Sequence, residues 1–328
     1  MAYSIGVLNN IRANASDEYQ NRIPEATQNN IASIGNALAT YTLLYNEFCS
    51  ALVNKIGKTI IEQKLFKNKL ARFKSGAVNT QQDVEEIFIE MAKAEGSYDK
   101  TGSNPLGRRE LPDVKAIYHR QNRQDYYAIS IGDIDFVRVF KSPTTLDAFI
   151  SGLINSVYSA DAYDEWVAMK QLLGSYEGYA TATLSAAPTT TDGCKAFVKT
   201  VRKVANDLTF ASANYNGAGV TTWTDPSKLV LFVNKDVITE IDVELLAQSF
   251  NMGKTDLNVE VVTMDDFGGL ANTYAILADA DFFRVFDTLS RMETQRNAQG
   301  LFTNYFYHHH QILSLSTFKN AVAFQYTE

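Results

Sequence analysis

The stretch Thr144–Leu173 limits the possible folds more than any other part of the chain. Ser142, Pro143 and Thr144 form a helix-start signal: proline loses no needed N–H in a first turn, and its φ is already helical. Asp147 follows where the positive end of a helix favours a carboxylate. Leu146, Phe149, Ile150, Leu153, Ile154, Val157, Tyr158, Trp166, Val167 and Leu173 then mark one broad apolar face, and Gly174 reads as its end. Roughly 30 residues at about 1.5 Å each make a rod of about 45 Å, more than twice the usual helix length. Such a rod acts as a bar across which other elements pack. Ser159-Ala160-Asp161 is where the sequence would allow a break into two shorter helices.

Before this rod the chain reads as arm, helix and excursion. Residues 1–30 are polar, with Asn9-Asn10 and Asn29-Asn30, and are expected to form an extended arm ordered by neighbours. Ile31, Ile34, Leu38, Leu43, Tyr45, Phe48, Leu52 and Ile56 follow helical spacing up to Gly57. Over 58–74, Ile61, Leu65, Phe66, Leu70 and Phe73 interleave with Lys64, Lys67, Lys69, Arg72 and Lys74, which predicts a strand with a basic edge. Thr80 and Asp83 resemble a capping box for a short helix with Val84, Ile87, Phe88 and Met91 on its apolar side. Residues 95–113, with three glycines and two prolines, read as loop, and 114–119 with 126–131 as a strand pair. This excursion has little core of its own, and a stable monomer would rarely leave it unsupported.

After the rod, the small and polar residues 178–191 suggest a boundary. An α/β alternation follows: helix over Lys195–Leu208, strand at 228–233, helix over Asp236–Phe250, strands at 259–264 and 273–278. From Phe282 to Phe324 the pattern is of long strands. The class expected is α+β.

Charge and motif content narrow the function. The 328 residues carry a net charge of −7 and 45% hydrophobic residues, so a core is affordable while general nucleic-acid binding, which wants a basic face, is disfavoured. The 17 tyrosines and 19 phenylalanines suit either an aromatic core or extensive protein interfaces. Cys49 and Cys194 are too few for a disulfide framework or a zinc module, which points to a reducing compartment. No signal-peptide pattern or membrane-length apolar run is visible, so manufacture in the cytoplasm is expected.

Three clusters bear on chemistry. On a strand His308 and His310 would share a face and His309 would point away, but two imidazoles fall short of a zinc site. Asp265-Asp266 and the pair Asp279 and Asp281 have the groups for a divalent ion or acid–base work, yet turn chemistry explains them equally well. Cys194 at a helix start would have a lowered pKa if exposed there, but no base partner is identifiable. The sequence has no phosphate loop, dinucleotide fingerprint or nucleophile elbow. No catalytic, cofactor-binding or metal residue is assigned.

The order of parts resembles the capsid proteins of tailed phages with the Hong Kong 97-type fold. "PDVKAIYHRQNRQDYYAISI" at 112–131, "TTLDAFISGLINSVYSADAYDEWVAMKQLL" at 144–173 and "FKSGAVNTQQDVEEIFIEMAKA" at 73–94 look like members from small phages. "SKLVLFVNKDVITEI" at 227–241 is similar to the axial-domain strand and helix of that family. The resemblance implies an N-terminal arm and helix (1–57), an extended loop (58–141), a peripheral domain with a spine helix (142–177), an axial domain (178–283) and return strands of the peripheral domain (284–328). It implies a non-enzymatic shell subunit that assembles with itself, as pentamers and hexamers, into an icosahedral or prolate virion capsid around double-stranded DNA bound without sequence specificity. Scaffolding, portal and decoration proteins are implied partners, and neither a membrane nor a cofactor is involved. Some members crosslink lysine to asparagine; here Lys64, Lys67, Lys69 and Lys74 lie in the loop segment and Asn320 near the C-terminus. The rival readings are a nanocompartment shell around a cargo enzyme and, from another class, a soluble α/β enzyme or binding module.

Overall fold

The computed structural model describes residues 2–41, 43–48, 51, 66–79, 82–92, 113–132, 143–241 and 259–326. The expected extended arm is instead helical. Helices α1 (Ala2–Ala13), α2 (Asp17–Arg22) and α3 (Ile31–Thr40) bury Val7, Leu8, Ile11, Tyr19, Ile23 and Ile34. The segment is poor in apolar residues, but those it has fall on one side. Polar residues tie its turns: Arg12 donates to the carbonyls of Ile23 (2.7 Å) and Gln20 (3.0 Å), and the Asn9 amide pairs both ways with the Ala26 backbone. The single helix expected from Ile31 onward stops at Thr40, where Tyr41 turns extended (φ −114°, ψ 100°). A further helical run covers residues 43–48, and 52–56 lie outside the described residues.

The excursion also differs from expectation. The described part of the 58–74 stretch is a turn and a 3-10 helix, Ala71–Phe73, in which Leu70 and Phe73 are buried at a spacing of three. β1 (Gly76–Ala77) then pairs with residues 286–287. The helix expected after Thr80 is strand β2 (Val84–Ile89), paired antiparallel with β3 (Val114–His119). β-branched Val84, Ile87 and Ile89 favour strand, and the ladder offered by β3 overrides the weak local cap. Residues 95–112 of the expected loop lie outside the described residues. The expected pairing of 114–119 with 126–131 does not form. β4 (Arg123–Gly132) leaves β3 and pairs with a C-terminal strand, because Asn122 bonds the Leu313 backbone in both directions, at 2.8 Å each way.

The long helix is continuous: α4 spans Pro143–Ser175 without a break at Ser159–Asp161. Beyond it, β5 (Ala180–Thr183) lies inside the expected boundary stretch, followed by α5 (Thr191–Asp207), β6 (Leu229–Asn234), α6 (Lys235–Glu240), β7 (Glu260–Met264) and β8 (Thr273–Asp279). Residues 242–250 of the helix expected after Asp236 lie outside the described residues. β9 (Phe283–Asn297), β10 (Phe302–Leu315) and β11 (Ala321–Gln325) are the expected C-terminal strands.

Among the described residues the strands form two sheets and a ribbon. One sheet has the order β1-β9-β10-β4, the other β5-β11-β8-β6-β7, and β2-β3 stands as a two-stranded ribbon. β11 thus leaves β9 and β10 and enters the second sheet between β5 and β8. α1–α3 and the middle of α4 cover one face of the first sheet, where Tyr158 meets Tyr307 at 4.7 Å between ring centres. α5 covers one face of the second sheet. The C-terminal half of α4, through Met169 and Leu173, packs with Phe232, Phe282 and Phe283 in a third core shared with both sheets.

Candidate assembly site

The β2–β3 ribbon has two unlike faces because side chains alternate along a strand. Its inner face docks on the rest of the subunit. Phe88 lies 5.5 Å from Phe318, Lys115 donates to the Ala218 carbonyl at 2.9 Å, and Glu90 accepts from the Thr221 N–H at 3.1 Å. Glu86 forms the anchor. It takes hydrogen bonds from Arg284 (2.7 Å) and Ser316 (2.9 Å) and meets His119 at 3.1 Å. His119 is itself buried, with its other ring nitrogen 2.7 Å from the Ser314 hydroxyl. Burial pushes the Glu86 pKa up, but His119, Arg284 and Ser316 outweigh it and hold the group at about 2.

Among the described residues the outer face has no such partners. Ile87 (55% exposed), Ile89 (61%), Val114 (51%) and Tyr118 (58%) point away from it. Ile89 sits opposite Val114, and Glu85 accepts from the Tyr118 hydroxyl at 2.8 Å across the same face. A two-stranded ribbon is marginal alone, and a contiguous exposed apolar row marks a contact surface. The arrangement is a rigidly anchored ribbon that presents an uncovered apolar face.

A second ionic junction fixes α4 to the first sheet. Helical spacing of four brings Asp161 and Glu165 to the same side, and both are buried there. Asp161 Oδ1 accepts from Arg123 (2.9 Å) and lies 2.7 Å from His309 Nδ1. His309 Nε2 lies 3.2 Å from Asp287, and Lys74 bridges Asp287 (2.7 Å) and Glu165 (3.4 Å). Burial alone would lower the His309 pKa, but the bonds to Asp161 and Asp287 dominate and raise it. Burial likewise works against Asp287, yet His309 and Lys74 hold its pKa far below the usual carboxylate range. Asp161, Glu165 and His309 come close enough to share an ion. Arg123 and Lys74 already supply the positive charge there, so the donor set reads as a self-compensated salt network.

The sequence candidates distribute as follows. His308 and His310 do share a face, the outer one, while His309 turns into the junction. Asp265 and Asp266 both accept from Lys170, at 3.0 and 2.8 Å. Asp279 caps the turn at Asp281, whose carboxylate pairs with Lys228 at 2.9 Å. Cys194 is the reverse of an activated thiol: it is buried, Sγ faces the Pro188 carbonyl at 3.5 Å, and burial raises its pKa. Asn320 is buried and donates to Thr224, Lys74 is engaged in the junction, and Lys64 lies outside the described residues. The sequence does not single out Glu86, Arg123 or Glu165 for these junctions, and it offers Asp161 only as a point where the helix would break and His309 only as a strand residue facing away from its neighbours. The available signal was Asp161 and Glu165, two carboxylates four apart within an otherwise apolar stripe. Among the described residues no helix is long and apolar enough to cross a membrane.

The family model described as Phi29-like phage major capsid protein matches residues 8–325. The chain is 35% identical over 327 residues to the major capsid protein of Bacillus phage B103, covering 98% of this chain and 72% of that one. It is 36% identical over 327 residues to the major capsid protein of Bacillus phage PZA, with the same coverage. Among solved structures, the capsid structure of Staphylococcus phage Andhra superposes with a TM-score of 0.65 at 12% identity, over 82% of this chain and 86% of that one.

Proposed function

The chain belongs to the Phi29-like phage major capsid proteins, structural subunits of Hong Kong 97-like fold that build the virion shell by assembling with themselves, and from that premise we propose that the β2–β3 ribbon is the clamp between neighbouring copies. The uncovered apolar face of Ile87, Ile89, Val114 and Tyr118 carries this reading. The Glu86 junction holds the base of the ribbon, so binding a neighbour costs little ordering entropy. Each contact is weak, and a closed shell repeats it many times.

Within this reading residues 58–141 are the extended loop, 1–57 the N-terminal arm and helix, and 142–177 with the return strands of 284–328 the peripheral domain, except that β11 departs from that expectation and joins the second sheet. Residues 178–283 are the axial domain, whose sheet β11 completes. The subunits group as pentamers and hexamers in an icosahedral or prolate shell around double-stranded DNA, with scaffolding, portal and decoration proteins as further partners. The net charge of −7 fits a wall that does not cling to packaged DNA. The nanocompartment and soluble-enzyme readings give way to the family assignment.

The test is the double variant Ile87→Glu with Ile89→Glu. Both side chains are exposed in the subunit, so its stability should stay within about 0.5 kcal/mol of the parent, while sedimentation and negative-stain microscopy should show loss of shells. Shells forming at the parent rate would sink the clamp.

A further inference from the structure

A groove of about 290 Å³ opens between the segment before the 3-10 helix, α4 and the end of β7. Phe66, Trp166 and Met264 line it together with the rim lysines Lys67, Lys69 and Lys235, all three exposed, and Asp265 adds one carboxylate to the lining. The aromatic wall is built rather than incidental. Phe66 meets Tyr163 edge-on at 5.5 Å and Trp166 at 6.2 Å between ring centres. Lys170 covers one face of the Trp166 ring at 4.6 Å and is held in place by Asp265 and Asp266. The nearby carboxylates are therefore already engaged.

The rim lysines are not. Lys67, Lys69 and Lys235 are exposed and make no ion pair with any described residue. Three unpaired cations around one apolar groove, in a chain of net charge −7, form a local positive field over an aromatic floor. A carboxylate-rich partner complements the rim, and a leucine- or phenylalanine-sized side chain fills the groove. Duplex DNA would satisfy the charge but offers no apolar group to enter the cavity. We propose that this groove docks a short acidic segment of another protein, one that carries large apolar side chains among its carboxylates. This goes beyond the ribbon contact between copies and does not depend on it.

The chain has two tryptophans, Trp166 and Trp223, so Trp223→Phe, at an exposed position, leaves Trp166 as the sole reporter at the groove. The full-length subunit in that background is titrated with a synthetic peptide of glutamates carrying two leucines, and Trp166 emission is followed. A saturable change is expected. Lys67→Glu, Lys69→Glu and Lys235→Glu together should weaken binding about tenfold or more, added salt should weaken it, and Lys199→Glu on the exposed side of α5 should leave it unchanged. The proposal is overturned by no saturable response, by equal binding of the triple variant, or by equal binding of the peptide with glutamine in place of glutamate. It is also overturned if a short DNA duplex gives the same lysine-dependent response, or if the emission shift tracks subunit concentration without peptide, which would assign the groove to a second copy.

Discussion

His309 Nδ1 lies 2.7 Å from Asp161 Oδ1 on the long helix, while its Nε2 lies 3.2 Å from Asp287 on the neighbouring strand. A neutral imidazole has one N–H and satisfies one of two carboxylates. Contacts on both sides demand the imidazolium, so this residue joins α4, β9 and β10 only while it is charged. Arg123 and Asp125 on β4, Glu165 and Asp164 on α4, Lys74 beside β1, and Tyr307, His308 and His310 on β10 complete the charged and titratable surroundings.

Subunit stability is therefore expected to fall as pH rises. The folded His309 pKa is raised above its ordinary 6.5, so its contribution is complete below about that pH and is lost as pH climbs through the raised value. Asp287 has a depressed pKa, so its contribution holds above the ordinary carboxylate range and is lost only in strong acid. Thermal unfolding of the unassembled subunit across pH 6 to 9 should show a declining Tm in the parent. In His309→Gln, Tm should be lower at pH 6 and nearly flat through that interval. A parent-like slope in His309→Gln would place the pH dependence elsewhere.

Arg123 should not tolerate lysine. Its guanidinium donates to Asp125 (2.6 Å), Gln311 (2.5 Å), Tyr127 (3.0 Å) and Asp161 (2.9 Å), in four directions that a single ammonium cannot reach together. Arg123→Lys should cost about 2 kcal/mol, and Arg123→Met about 3 to 5 kcal/mol because Asp161 is left buried beside one fewer cation. Urea denaturation of the two variants checks both the order and the size.

Glu86→Gln should loosen the ribbon while sparing the cores. The folded Glu86 pKa is held at about 2 against an ordinary 4.5, so its contribution is present above about 4.5 and is lost as pH falls through about 2. In the glutamine variant, amide exchange should accelerate in β2 and β3 and stay unchanged in β6 and β8, whose strands are buried in the second sheet. In the parent the same acceleration should appear on acidification. Uniform acceleration across the whole chain would show that the junction stabilises the fold globally instead.

The elements legible in the sequence are those whose own residues decide their shape. The α4 rod, α5 from Lys195 onward, β6, β8 and the C-terminal strands carry long, consistent apolar patterns, whereas the Thr190 cap and the start of α5 at Thr191 fall in the stretch expected as a boundary. The elements misread are those decided by a distant partner. β2 has an apolar set that suits either period until β3 supplies a ladder, and the helical N-terminus hides because Asn9 and Arg12 do the joining that apolar residues usually do. The ionic junctions are only faintly legible for a related reason. Asp161 looked like a place where the helix could break, since an acid on an apolar stripe makes sense only when Arg123 and His309, 38 and 148 residues away, are known to face it.

Gly174 marks the end of the long helix as the sequence implies, since α4 ends at Ser175, and the glycine also serves a close backbone approach. A Cβ at this position would stand 2.3 Å from the Gly268 carbonyl oxygen and 2.5 Å from that of Phe267. Neither is a side chain that can swing away. Gly268 is constrained in turn: its φ is +61°, and a Cβ there would meet the Lys170 carbonyl oxygen at 2.7 Å. The same loop is tied to α4 by Lys170 through Asp265 and Asp266, so the helix end and the 265–268 turn form one unit between the two sheets. Gly174→Ala should therefore destabilise by about 2 kcal/mol or more, although alanine is the better helix former by about 1 kcal/mol. Gly152, on the same helix with nothing within 4 Å of its would-be Cβ, is the internal control, and Gly152→Ala should stabilise by a few tenths to about 1 kcal/mol. Opposite signs for two identical substitutions in one helix, read by urea denaturation, are the expected result. Stabilisation at both positions would mean that the 265–268 turn yields, and that α4 is held to the sheets by its ionic junction and apolar contacts alone.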